Sequence, residues 1–468
     1  MKRSSKLSAT SSASTTFEVV IIGGGGAGMA AVEGAKAAGA SRICLIESGN
    51  LGGECPNRAC VPTKSLLASA KMYKSFLKDG LEFGVLGSPR FDLKRAMARK
   101  ESVIQAIVGG GRLENYLKSQ GVDVIRGKAV FEDAHTLRAG SRVLKAKSIV
   151  IATGTTDLVP PIAGLEDVEV LGYADAVSLP RLPKSIAIIG GGPVGCEFAT
   201  FFASVGVKTT LIEPADHLLI HEDEELSLLA ETALKDLDVT VLAKTKPLGL
   251  LNEKWGTKVT YQVGKRPRQY IWVEAVLVAA GKMPNIANLA LERAKVKVEK
   301  TGRVLVNSKM QTNAKHILLA GDVSGRLMFT HTAHYEGFIA GWNAIKPKEA
   351  YDTDLSVIPR VTFIDPELAS VGLTQAEAVK SGFETVIYRT AIHTLARAAV
   401  DGKQTGVLKV VVDKKTDLIL GGHMLSERAG EVIHELALAM RHGLPFSAVR
   451  AGLRAYPTYS EAISALEV

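Results

Sequence analysis

The sequence of 468 residues contains only four cysteines and no long apolar run. So few cysteines in a chain of this length exclude a disulfide-stapled scaffold. No apolar run approaches the roughly 20 residues that a bilayer requires, so we expect no membrane partner. The segment 1–16 is rich in Ser and Thr but lacks the apolar stretch of a secretory signal. We therefore expect a disordered tail at 1–16 and a cytoplasmic protein.

Positive charge is in excess but is scattered. The 57 Lys and Arg residues exceed the 48 Asp and Glu residues and give a net charge of +9. The sequence contains no block of five or six cations and no signature of the usual nucleic-acid-binding modules. We therefore expect no nucleic-acid partner and a solvated basic surface, whose field would favour an anionic cofactor or substrate.

The first of two similar segments has the sequence of a dinucleotide-binding βαβ unit. An apolar strand at 17–22 leads to Gly23, Gly25 and Gly28, which satisfy the G-x-G-x-x-G pattern. An Ala-rich helix follows, and the next strand ends at Glu47. These glycines allow a tight turn and let the backbone approach a pyrophosphate at the helix N-terminus, and the glutamate can accept a hydrogen bond from a ribose hydroxyl.

The same pattern recurs at Gly190, Gly192 and Gly195, with Glu213 at the end of the following strand. Two dinucleotide sites in one chain are most simply explained by one flavin nucleotide and one nicotinamide nucleotide, between which hydride can pass. A carboxylate at Glu213 suits a free 2′-hydroxyl and repels a 2′-phosphate. The segment PADHLLIHEDEEL that follows contains no Lys or Arg. We therefore predict NADH rather than NADPH.

The remaining segments complete an α/β layout. The sequence IVIATGT at 149–155 is typical of a strand and a turn. In HILLAGDVSG, Asp322 lies at the C-terminal end of a predicted strand. Open α/β sheets bind their ligands at the C-terminal ends of the strands. From about Tyr351 the pattern changes to short strands, with helices from Glu431. The sequence thus predicts two Rossmann-like domains and an α+β terminal domain.

Two cysteines, Cys55 and Cys60, lie close together in GGECPNRACVPTKSLL. A zinc site needs about four ligands, and no His is positioned nearby in sequence, so we predict no metal site. Five helical steps advance about 7.5 Å, whereas a disulfide needs Cα atoms within about 7 Å, so a bridge would require a distorted first turn near Pro56 and Asn57. The helix N-terminus and Lys64 favour a thiolate. We predict a redox-active pair, with two unrelated structural thiols as the alternative.

The segment GGECPNRACVPTK resembles the active site of the flavin-dependent pyridine nucleotide–disulfide oxidoreductases, a family that includes dihydrolipoamide dehydrogenase, glutathione reductase and mercuric reductase. With the two glycine motifs, the ATG turn, the GD segment and VTFIDPELASVGLT, the resemblance covers nearly everything after Phe17. It implies FAD- and NAD(P)-binding Rossmann-like domains and an α+β dimerisation domain. We place the FAD-binding domain at 17–160, the NAD(P)-binding domain at 161–284, the second FAD-binding or central part at 285–350 and the dimerisation domain at 351–468.

The resemblance also implies the cofactor-binding residues. For FAD these are Gly23, Gly25, Gly28, Glu47, Gly53, Lys64, Thr153, Gly154, Asp322, His331, Thr332 and Ala333. For NAD they are Gly190, Gly192, Gly195, Glu213 and Gly281. Within the FAD set, Asp322 would hold the ribityl chain, and Lys64 would pair with Glu197 beside flavin N5.

A redox relay follows from the same resemblance. NADH would reduce FAD, the flavin would reduce a Cys55–Cys60 disulfide through Cys60, and the dithiol would reduce a small-molecule acceptor through Cys55. The family is a two-fold homodimer in which the C-terminal domain completes the active site of the partner.

The sequence departs from the family near its C-terminus. Disulfide reductases of the family have a His-Pro-Thr run there and a Glu a few residues later, whereas LRAYPTYSEA has Tyr456 in place of the His and retains Glu461. A phenol with a pKa near 10 cannot exchange protons at neutral pH as imidazole does. Mercuric reductases also have Tyr there, but their C-terminal cysteine pair is absent, since no cysteine follows Cys196. We expect Tyr456 and Glu461 to lie at the active site; the alternative for Tyr456, compatible with the first, is a packed aromatic side chain at the dimer interface.

We therefore predict an FAD- and NADH-dependent oxidoreductase that reduces a disulfide, a metal thiolate or another small acceptor. A dihydrolipoamide dehydrogenase that tolerates Tyr456 is one alternative. A quinone or diaphorase-type reductase is the second, and a thiol redox sensor with low turnover is the third.

Overall fold

The computed structural model describes residues 15–468. Of the tail predicted at 1–16, residues 1–14 lie outside the described residues, and the first strand begins at Thr15, two residues before the predicted start. The chain divides into two compact units. Unit 1 contains the residues up to Asn57 together with Gln105–Thr156 and Lys282–Asp354, and unit 2 contains Arg58–Ile104, Asp157–Gly281 and Leu355–Val468. The domain boundaries near 160, 284 and 350 stay predictions.

The helices and strands are numbered here in chain order. The α-helices are α1 (Gly26–Ala37), α2 (Glu54–Asn57), α3 (Cys60–Asp79), α4 (Leu93–Val108), α5 (Arg112–Ser119), α6 (Tyr173–Ala176), α7 (Pro193–Ser204), α8 (Glu224–Lys235), α9 (Thr330–Ile345), α10 (Gln375–Lys380), α11 (Ala396–Val400), α12 (Ala429–Arg441), α13 (Phe446–Arg450) and α14 (Glu461–Ser464). The strands are β1 (Thr15–Ile22), β2 (Ile43–Glu47), β3 (Val122–Arg126), β4 (Ala129–Phe131), β5 (Thr136–Ala139), β6 (Arg142–Ile151), β7 (Thr155–Asp157), β8 (Ser185–Ile189), β9 (Lys208–Ile212), β10 (Thr240–Leu242), β11 (Thr245–Glu253), β12 (Gly256–Val263), β13 (Gln269–Val273), β14 (Ala275–Val278), β15 (Lys282–Pro284), β16 (Ile317–Leu319), β17 (Arg360–Thr362), β18 (Glu367–Gly372), β19 (Thr385–Ala391), β20 (Val407–Asp413) and β21 (Ile419–Ser426).

Unit 1 is built on one sheet with the strand order β3-β2-β1-β6-β5-β4, in which β16 also pairs with β6. The strands β3, β2, β1, β6 and β16 run parallel, and β4 and β5 continue the sheet antiparallel. Apolar side chains on both faces of β1 are buried, as expected for a parallel strand that is covered on both sides. This arrangement brings the carboxyl ends of β1, β2, β6 and β16 to one edge of the sheet.

Helices α1 and α9 pack with their backbones in direct contact. A Cβ atom added at Gly34 would lie 2.0 Å from the carbonyl oxygen of Phe338, and one added at Gly341 would lie 2.0 Å from that of Ala31. Only glycine therefore fits at these positions. The Gly- and Ala-rich sequence of the two helices thus allows α9 to lie close enough to α1 to carry its first turn to the ligand edge of the sheet.

Unit 2 contains a second parallel sheet, a small antiparallel sheet and a larger antiparallel sheet. The parallel sheet has the order β10-β9-β8-β14, and the three-stranded antiparallel sheet has the order β11-β12-β13. The five-stranded sheet has the order β17-β18-β21-β20-β19 and is antiparallel throughout. Helix α12 covers this sheet, because Val432, Ile433 and Leu436 are buried in its core. The predicted α/β fold with two Rossmann-like domains and an α+β terminal domain is confirmed.

Among the described residues, no helix combines the length and the apolar character that a membrane crossing requires.

Candidate active site

The first glycine turn connects β1 to α1 in unit 1. Gly23 has φ +103°, and a Cβ atom there would lie 2.3 Å from the carbonyl oxygen of Ala152. A Cβ atom at Gly28 would lie 1.8 Å from the carbonyl oxygen of Gly23. Both positions therefore require glycine, one for its backbone conformation and one for space. The G-x-G-x-x-G pattern has the structural role that the sequence predicted.

Glu47 holds this turn in place from the end of β2. One carboxylate oxygen accepts the N–H of Gly24 at 2.6 Å, and the other accepts the N–H of Gly49 at 2.5 Å. A carboxylate oxygen has two lone pairs, so each oxygen keeps acceptor capacity for a ribose hydroxyl. Gly25 precedes α1 and has no side chain to cap the helix, which leaves backbone N–H donors of the first turn for an anionic group.

The segment that carries Cys55 lies directly against this turn. Gly25 forms a parallel bridge with Gly52, and a Cβ atom added at Gly53 would lie 2.7 Å from the Cα of Gly25. The side-chain amide of Asn57 donates to the carbonyl oxygens of Leu51 at 3.0 Å and Gly53 at 2.8 Å. The short helix α2, which contains Cys55, is therefore fixed beside the N-terminus of α1.

Further residues of unit 1 offer polar atoms that lack a protein partner. The hydroxyl oxygens of Thr153 and Thr332 are buried and have no hydrogen-bond partner among the described residues. Asn285 fixes the turn at Thr153 and Gly154, because its backbone N–H donates to the carbonyl oxygen of Gly154 at 3.0 Å. His331 stacks on Phe329 in the first turn of α9, with a centroid distance of 5.5 Å. These unsatisfied hydroxyls fit a polar cofactor with hydroxyl, amide and carbonyl groups.

Asp322 is half-buried in the short 3₁₀ turn after β16, beside a fully buried carboxyl group. Burial raises the pKa of Asp322 to about 6; Glu54 also raises it, and Lys282 lowers it. Glu336 on α9 is fully buried and accepts the N–H of Gly321 at 2.9 Å. Burial raises the pKa of Glu336 to about 7. The sequence analysis did not identify Glu336, although a lone acid within the small, apolar sequence of α9 is a signal for it.

The two cysteines lie on either side of the boundary between the units. Cys55 belongs to α2 in unit 1, and Cys60 is the first residue of α3 in unit 2. The helix is interrupted as expected, but at Arg58 and Ala59 rather than near Pro56. Pro56 is tolerated in the first turn of α2, where its missing N–H would have no helical acceptor. Ala59, with φ −120° and ψ −94°, carries the distortion instead.

Lys64, one turn into α3, forms an ion pair that connects three segments of unit 2. Its ammonium lies 2.6 Å from a carboxylate oxygen of Glu197 on α7 and 4.8 Å from the centroid of the Phe363 ring. The other oxygen of Glu197 accepts the N–H of Phe363 at 3.1 Å. Because the Glu197 side chain is almost fully buried, this pair is screened little by solvent. The pairing of Lys64 with Glu197 is confirmed.

The second glycine turn repeats the geometry of the first. Gly190 has φ +114°, and a Cβ atom at Gly195 would lie 1.9 Å from its carbonyl oxygen. Glu213 accepts the N–H groups of Gly191 at 2.6 Å and Ala215 at 2.7 Å. In the same unit, Gly281 has φ +120° and its carbonyl oxygen accepts the N–H of Leu158.

The structure brings one cation to the loop after Glu213 that the sequence pattern did not show. The backbone N–H of Lys244 donates to the carbonyl oxygen of Ala215 at 2.7 Å, and its ammonium lies 3.7 Å from Asp216. The local sequence after Glu213 has no Lys or Arg, but folding supplies one from the β10–β11 connection.

Tyr456 and Glu461 lie near the end of unit 2. The Tyr456 side chain is 76% exposed, and Glu461, at the start of α14, accepts the N–H of Thr458 at 2.9 Å. The structure thus leaves the phenol at the surface of the single chain, while the carboxylate fixes the loop that follows it.

The other two cysteines are structural. Cys44 on β2 and Cys196 on α7 are fully buried, and burial raises the pKa of the Cys44 thiol to about 12 and that of the Cys196 thiol further still. Within residues 15–468, no group of His, Cys, Asp and Glu side chains is arranged to hold a metal ion.

Comparison with known proteins identifies the family. Residues 17–337 match the family model of the pyridine nucleotide-disulphide oxidoreductases, and residues 358–466 match that of their dimerisation domain. A mercuric reductase from Lysinibacillus sphaericus is 33% identical over 90% of this chain and 77% of its own length. A dihydrolipoyl dehydrogenase from Thermus scotoductus is 33% identical over 90% of both chains.

A solved structure gives the same result. The Cu(II) complex of the HOCl-induced flavoprotein disulfide reductase RclA from Escherichia coli has a TM-score of 0.85 and 30% identity, and the alignment covers 96% of this chain and 98% of that one. Members of this family use FAD and a pyridine nucleotide, and the unsatisfied hydroxyls and glycine turns of this chain fit such cofactors. The chain is a flavin-dependent enzyme of the pyridine nucleotide–disulfide oxidoreductase family.

Proposed function

We propose that this enzyme passes electrons from NADH through FAD and a Cys55–Cys60 redox pair to a soft metal ion held by thiolates, such as Hg(II) or Cu(II). The observation that carries the proposal is the contact between the first glycine turn and the segment of Cys55, at Gly25 and Gly53. A redox pair whose first cysteine is fixed beside a flavin-binding turn can relay electrons from the bound cofactor to an acceptor.

In this proposal the first glycine turn holds FAD. Gly23, Gly25 and Gly28 let the pyrophosphate approach the N-terminus of α1, and Glu47 accepts from the adenosine ribose. Asp322 binds the ribityl chain. The remaining predicted contacts are Gly53, Lys64, Thr153, Gly154, His331, Thr332 and Ala333. Bound FAD supplies two-electron transfer between the nicotinamide and the thiols.

The protein residues then have separate tasks. Cys60, at the N-terminus of α3, is the thiol next to the flavin, and the helix terminus and Lys64 favour its thiolate form. Cys55 exchanges with the acceptor. Glu197 fixes the ammonium of Lys64 at 2.6 Å and so holds this cation in one position on α3.

Proton requirements favour a metal acceptor over a disulfide. When the dithiol is reoxidised it gives up two electrons; these reduce one Hg(II) to Hg(0), or two Cu(II) ions to Cu(I), without any proton reaching the acceptor. A disulfide acceptor instead needs two protons to leave as two thiols. Tyr456 replaces the imidazole that supplies them in disulfide reductases of the family, and a phenol with a pKa near 10 does this poorly at neutral pH.

Turnover measurements test this proposal. Steady-state NADH oxidation would be measured with Hg(II) and Cu(II) in excess thiol, and with lipoamide, glutathione disulfide and quinones. We expect the metal ions to be the best acceptors and Cys55→Ala to lower their turnover by at least about a hundredfold. The matched control is Cys44→Ala, which removes a buried thiol of the same unit. Equal activity of wild type and Cys55→Ala on every acceptor would contradict the dithiol relay.

Dihydrolipoamide dehydrogenase activity is the second candidate. The 33% identity to such an enzyme over 90% of both chains and the retained Glu461 favour it. In that case Tyr456→His should raise lipoamide turnover by at least about tenfold, since it restores a group that titrates near neutral pH. An unchanged lipoamide turnover in Tyr456→His would favour metal ions as the acceptors.

We also propose that NADH is preferred over NADPH. Glu213 lies at the end of β9 with both oxygens fixed by backbone N–H groups, and its charge repels a 2′-phosphate. Lys244 works against this preference, but its ammonium pairs with Asp216. The ratio of kcat/KM for NADH to kcat/KM for NADPH measures this preference.

Finally, we propose a homodimer that forms through residues 358–466. This region matches the dimerisation domain of the family. It exposes apolar and aromatic side chains that a partner would cover, namely Leu438, Leu444, Leu453 and Tyr456. Light scattering coupled to size-exclusion chromatography should give about twice the 49.7 kDa of one chain. A cytoplasmic location stays a prediction from the sequence.

A further inference from the structure

The three-stranded sheet β11-β12-β13 of unit 2 has one buried face and one open face. Leu250, Val259 and Val273 point inward and belong to the core that covers the parallel sheet. The opposite face carries Leu251, Lys258, Tyr270 and Trp272, because residues two apart on a strand lie on the same side. The register places Lys258 opposite both Leu251 and Trp272.

Large aromatic side chains are exposed on this face and in the adjoining turn between β11 and β12. Trp255, in the turn between β11 and β12, is 79% exposed, Tyr270 is 57% exposed and Trp272 is 38% exposed. These include two of the three tryptophans in the chain. Single exposed apolar residues are common, but a contiguous group of them marks an interaction surface.

The rings and one lysine form a fixed cluster. The centroids of Tyr270 and Trp272 are 6.4 Å apart with their planes at 83°, an edge-to-face pair. The ammonium of Lys258 lies 4.5 Å from the Tyr270 centroid and 5.9 Å from the Trp272 centroid. Both distances are within the range of a cation–π interaction, so the cation is held over the rings.

Positive charge is concentrated in the segment of the chain that forms this sheet and its turns. Residues 245–273 contain six Lys or Arg residues and one acid, Glu253, which is a net charge of +5 out of +9 for the whole chain. The six are Lys246, Lys254, Lys258, Lys265, Arg266 and Arg268. In the sequence these six cations look scattered, because strand and turn residues separate them. We call this surface, made of the exposed aromatic residues and the six cations, the aromatic–basic face.

We propose that the aromatic–basic face is a docking site for an acidic protein segment, in which carboxylates flank an aromatic or aliphatic side chain. The cations complement such carboxylates, and aromatic and Arg side chains are enriched where proteins bind one another. The face lies outside residues 358–466, the part that matches the dimerisation domain. It is therefore a second surface with a role of its own.

Other occupants fit the face less well. Single-stranded nucleic acid would stack its bases on open ring faces, but Lys258 already lies over the rings of Tyr270 and Trp272. A second copy of this chain would bring the same positive charge against itself in a two-fold contact. An acidic protein segment does not need open ring faces, and its charge is opposite to that of the aromatic–basic face.

The area of the face indicates a transient complex. Three strands spaced about 4.8 Å apart, each presenting about five residues of about 3.4 Å, cover roughly 250 Å². A stable complex buries about 800 Å² on each partner. The expected partner therefore associates and dissociates quickly, as is common for encounters between redox proteins.

Binding of two labelled polymers tests the proposal. The probes are a fluorescein-labelled copolymer of glutamate and tyrosine and a polyglutamate of the same length, measured by fluorescence anisotropy with the FAD-loaded enzyme at about 0.15 M salt. We expect the copolymer to bind more tightly than polyglutamate. Trp272→Ser and Tyr270→Ser should each weaken copolymer binding by about tenfold and change polyglutamate binding little. Lys258→Gln should weaken both.

Two variants serve as matched controls. Tyr116→Ser removes an aromatic side chain that is 43% exposed on α5, and Lys94→Gln removes an exposed cation on α4. Neither should affect copolymer binding. Circular dichroism and flavin content verify that each variant is folded, and Lys258→Gln supplies the test if a ring substitution prevents folding.

Three outcomes would overturn the proposal. The first is equal binding of the copolymer and polyglutamate by the wild type. The second is an effect of Tyr116→Ser as large as that of Tyr270→Ser. The third is displacement of the copolymer by a labelled oligothymidylate whose own binding depends on Trp272, which would assign the face to nucleic acid.

Discussion

The two glycine turns of this enzyme have nearly the same geometry but different surroundings. A Cβ atom would meet a carbonyl oxygen at 1.8 Å at Gly28 and at 1.9 Å at Gly195. Glu47 accepts the N–H of Gly24 and Glu213 accepts that of Gly191, each at 2.6 Å. The backbone of a dinucleotide-binding turn is therefore the same in both units, and the turn alone does not decide which cofactor it takes.

The two turns differ in the protein atoms that lie next to them. In unit 1, Gly25 is bridged to Gly52, and a Cβ atom at Gly25 would lie 3.6 Å from the Cα of Gly53. In unit 2, apart from the two chain neighbours of Gly192, no heavy atom of the described residues lies within 4 Å of a Cβ position there. The first turn is enclosed by its own chain and the second is open. An enclosed turn suits a cofactor that stays bound, and an open one suits a nucleotide that exchanges in every cycle, as the proposed assignment of FAD and NADH requires.

The largest effect should come from Gly28→Ala compared with Gly195→Ala. Each adds a methyl group that cannot fit beside a carbonyl oxygen, so each deforms its own turn. We expect Gly28→Ala to weaken FAD binding by at least about a hundredfold, because the pyrophosphate loses its backbone contacts. Gly195→Ala should keep its FAD and raise the KM for NADH. Flavin absorbance of the purified variants and NADH kinetics separate the two; loss of FAD from both variants would contradict the assignment.

Glu213→Ala and Glu47→Ala test which of the two acids determines the preference for NADH over NADPH. Removing the charge at Glu213 should lower the preference for NADH over NADPH by about tenfold to a hundredfold, since the repulsion of a 2′-phosphate is lost. Glu47→Ala should weaken FAD binding and leave the nucleotide preference unchanged. The measurement is kcat/KM for both nucleotides, with Lys244→Met as a variant that should shift the preference in the opposite direction. An unchanged preference in Glu213→Ala would count against the role of this acid.

Two acids near the first turn, the half-buried Asp322 and the buried Glu336, predict a pH dependence of the apoprotein. The pKa values of Asp322 and Glu336 are raised to about 6 and about 7, so the folded state binds more protons than the unfolded state between about pH 4 and pH 7. Their contribution to stability is therefore fully present below about pH 4 and is lost as the pH rises through these values. We expect each group to lower the free energy of unfolding by on the order of 2 kcal/mol over this range.

Chemical denaturation of FAD-free protein at several pH values measures the slope of the free energy of unfolding against pH. Asp322→Asn and Glu336→Gln should each reduce it, because they remove a group that titrates. The exposed Gln120, which does not titrate, provides a control, since Gln120→Ala should leave the pH dependence unchanged. A wild-type stability that rises steadily from pH 4 to pH 7 would contradict the account.

The smallest effect should come from Gly192→Ala. The added methyl group meets no protein atom within 4 Å, so the variant should fold and bind FAD as the wild type does. The methyl group would, however, project toward the space for the nucleotide pyrophosphate, and we expect the KM for NADH to rise by about threefold to tenfold. Thermal denaturation and NADH kinetics measure both properties. A loss of flavin from this variant would show that the second turn is not the nucleotide site.

Much of the fold could be predicted from the sequence because its signals are local. Glycine spacing, apolar strands and a terminal acid at Glu47 and Glu213 all lie within about thirty residues of one another. The α+β terminal domain was also predictable from its pattern of short strands. The start of β1 could not be predicted in this way, since Thr15 and Thr16 are polar and join the strand through pairing with β6.

The features that sequence reasoning missed depend on contacts between distant segments. Lys244 reaches the loop after Glu213 only because β10 pairs with β9. Glu336 acquires its role from a backbone N–H at Gly321, in a turn after another strand. The aromatic–basic face exists because three strands align residues that are separate in the sequence. These contacts depend on sheet register and helix packing, which cannot be read from a single sequence.

The anaerobic titration of the oxidised enzyme with NADH tests the central claim most directly. If FAD and a Cys55–Cys60 disulfide are both redox-active, each wild-type chain should take up about four electrons, and Cys55→Ser about two. Cys44→Ser should behave as the wild type does. Thiol counting after the titration should find the two additional thiols only when Cys55 and Cys60 are both present. Uptake of only two electrons by the wild type, with no new thiols, would contradict the account.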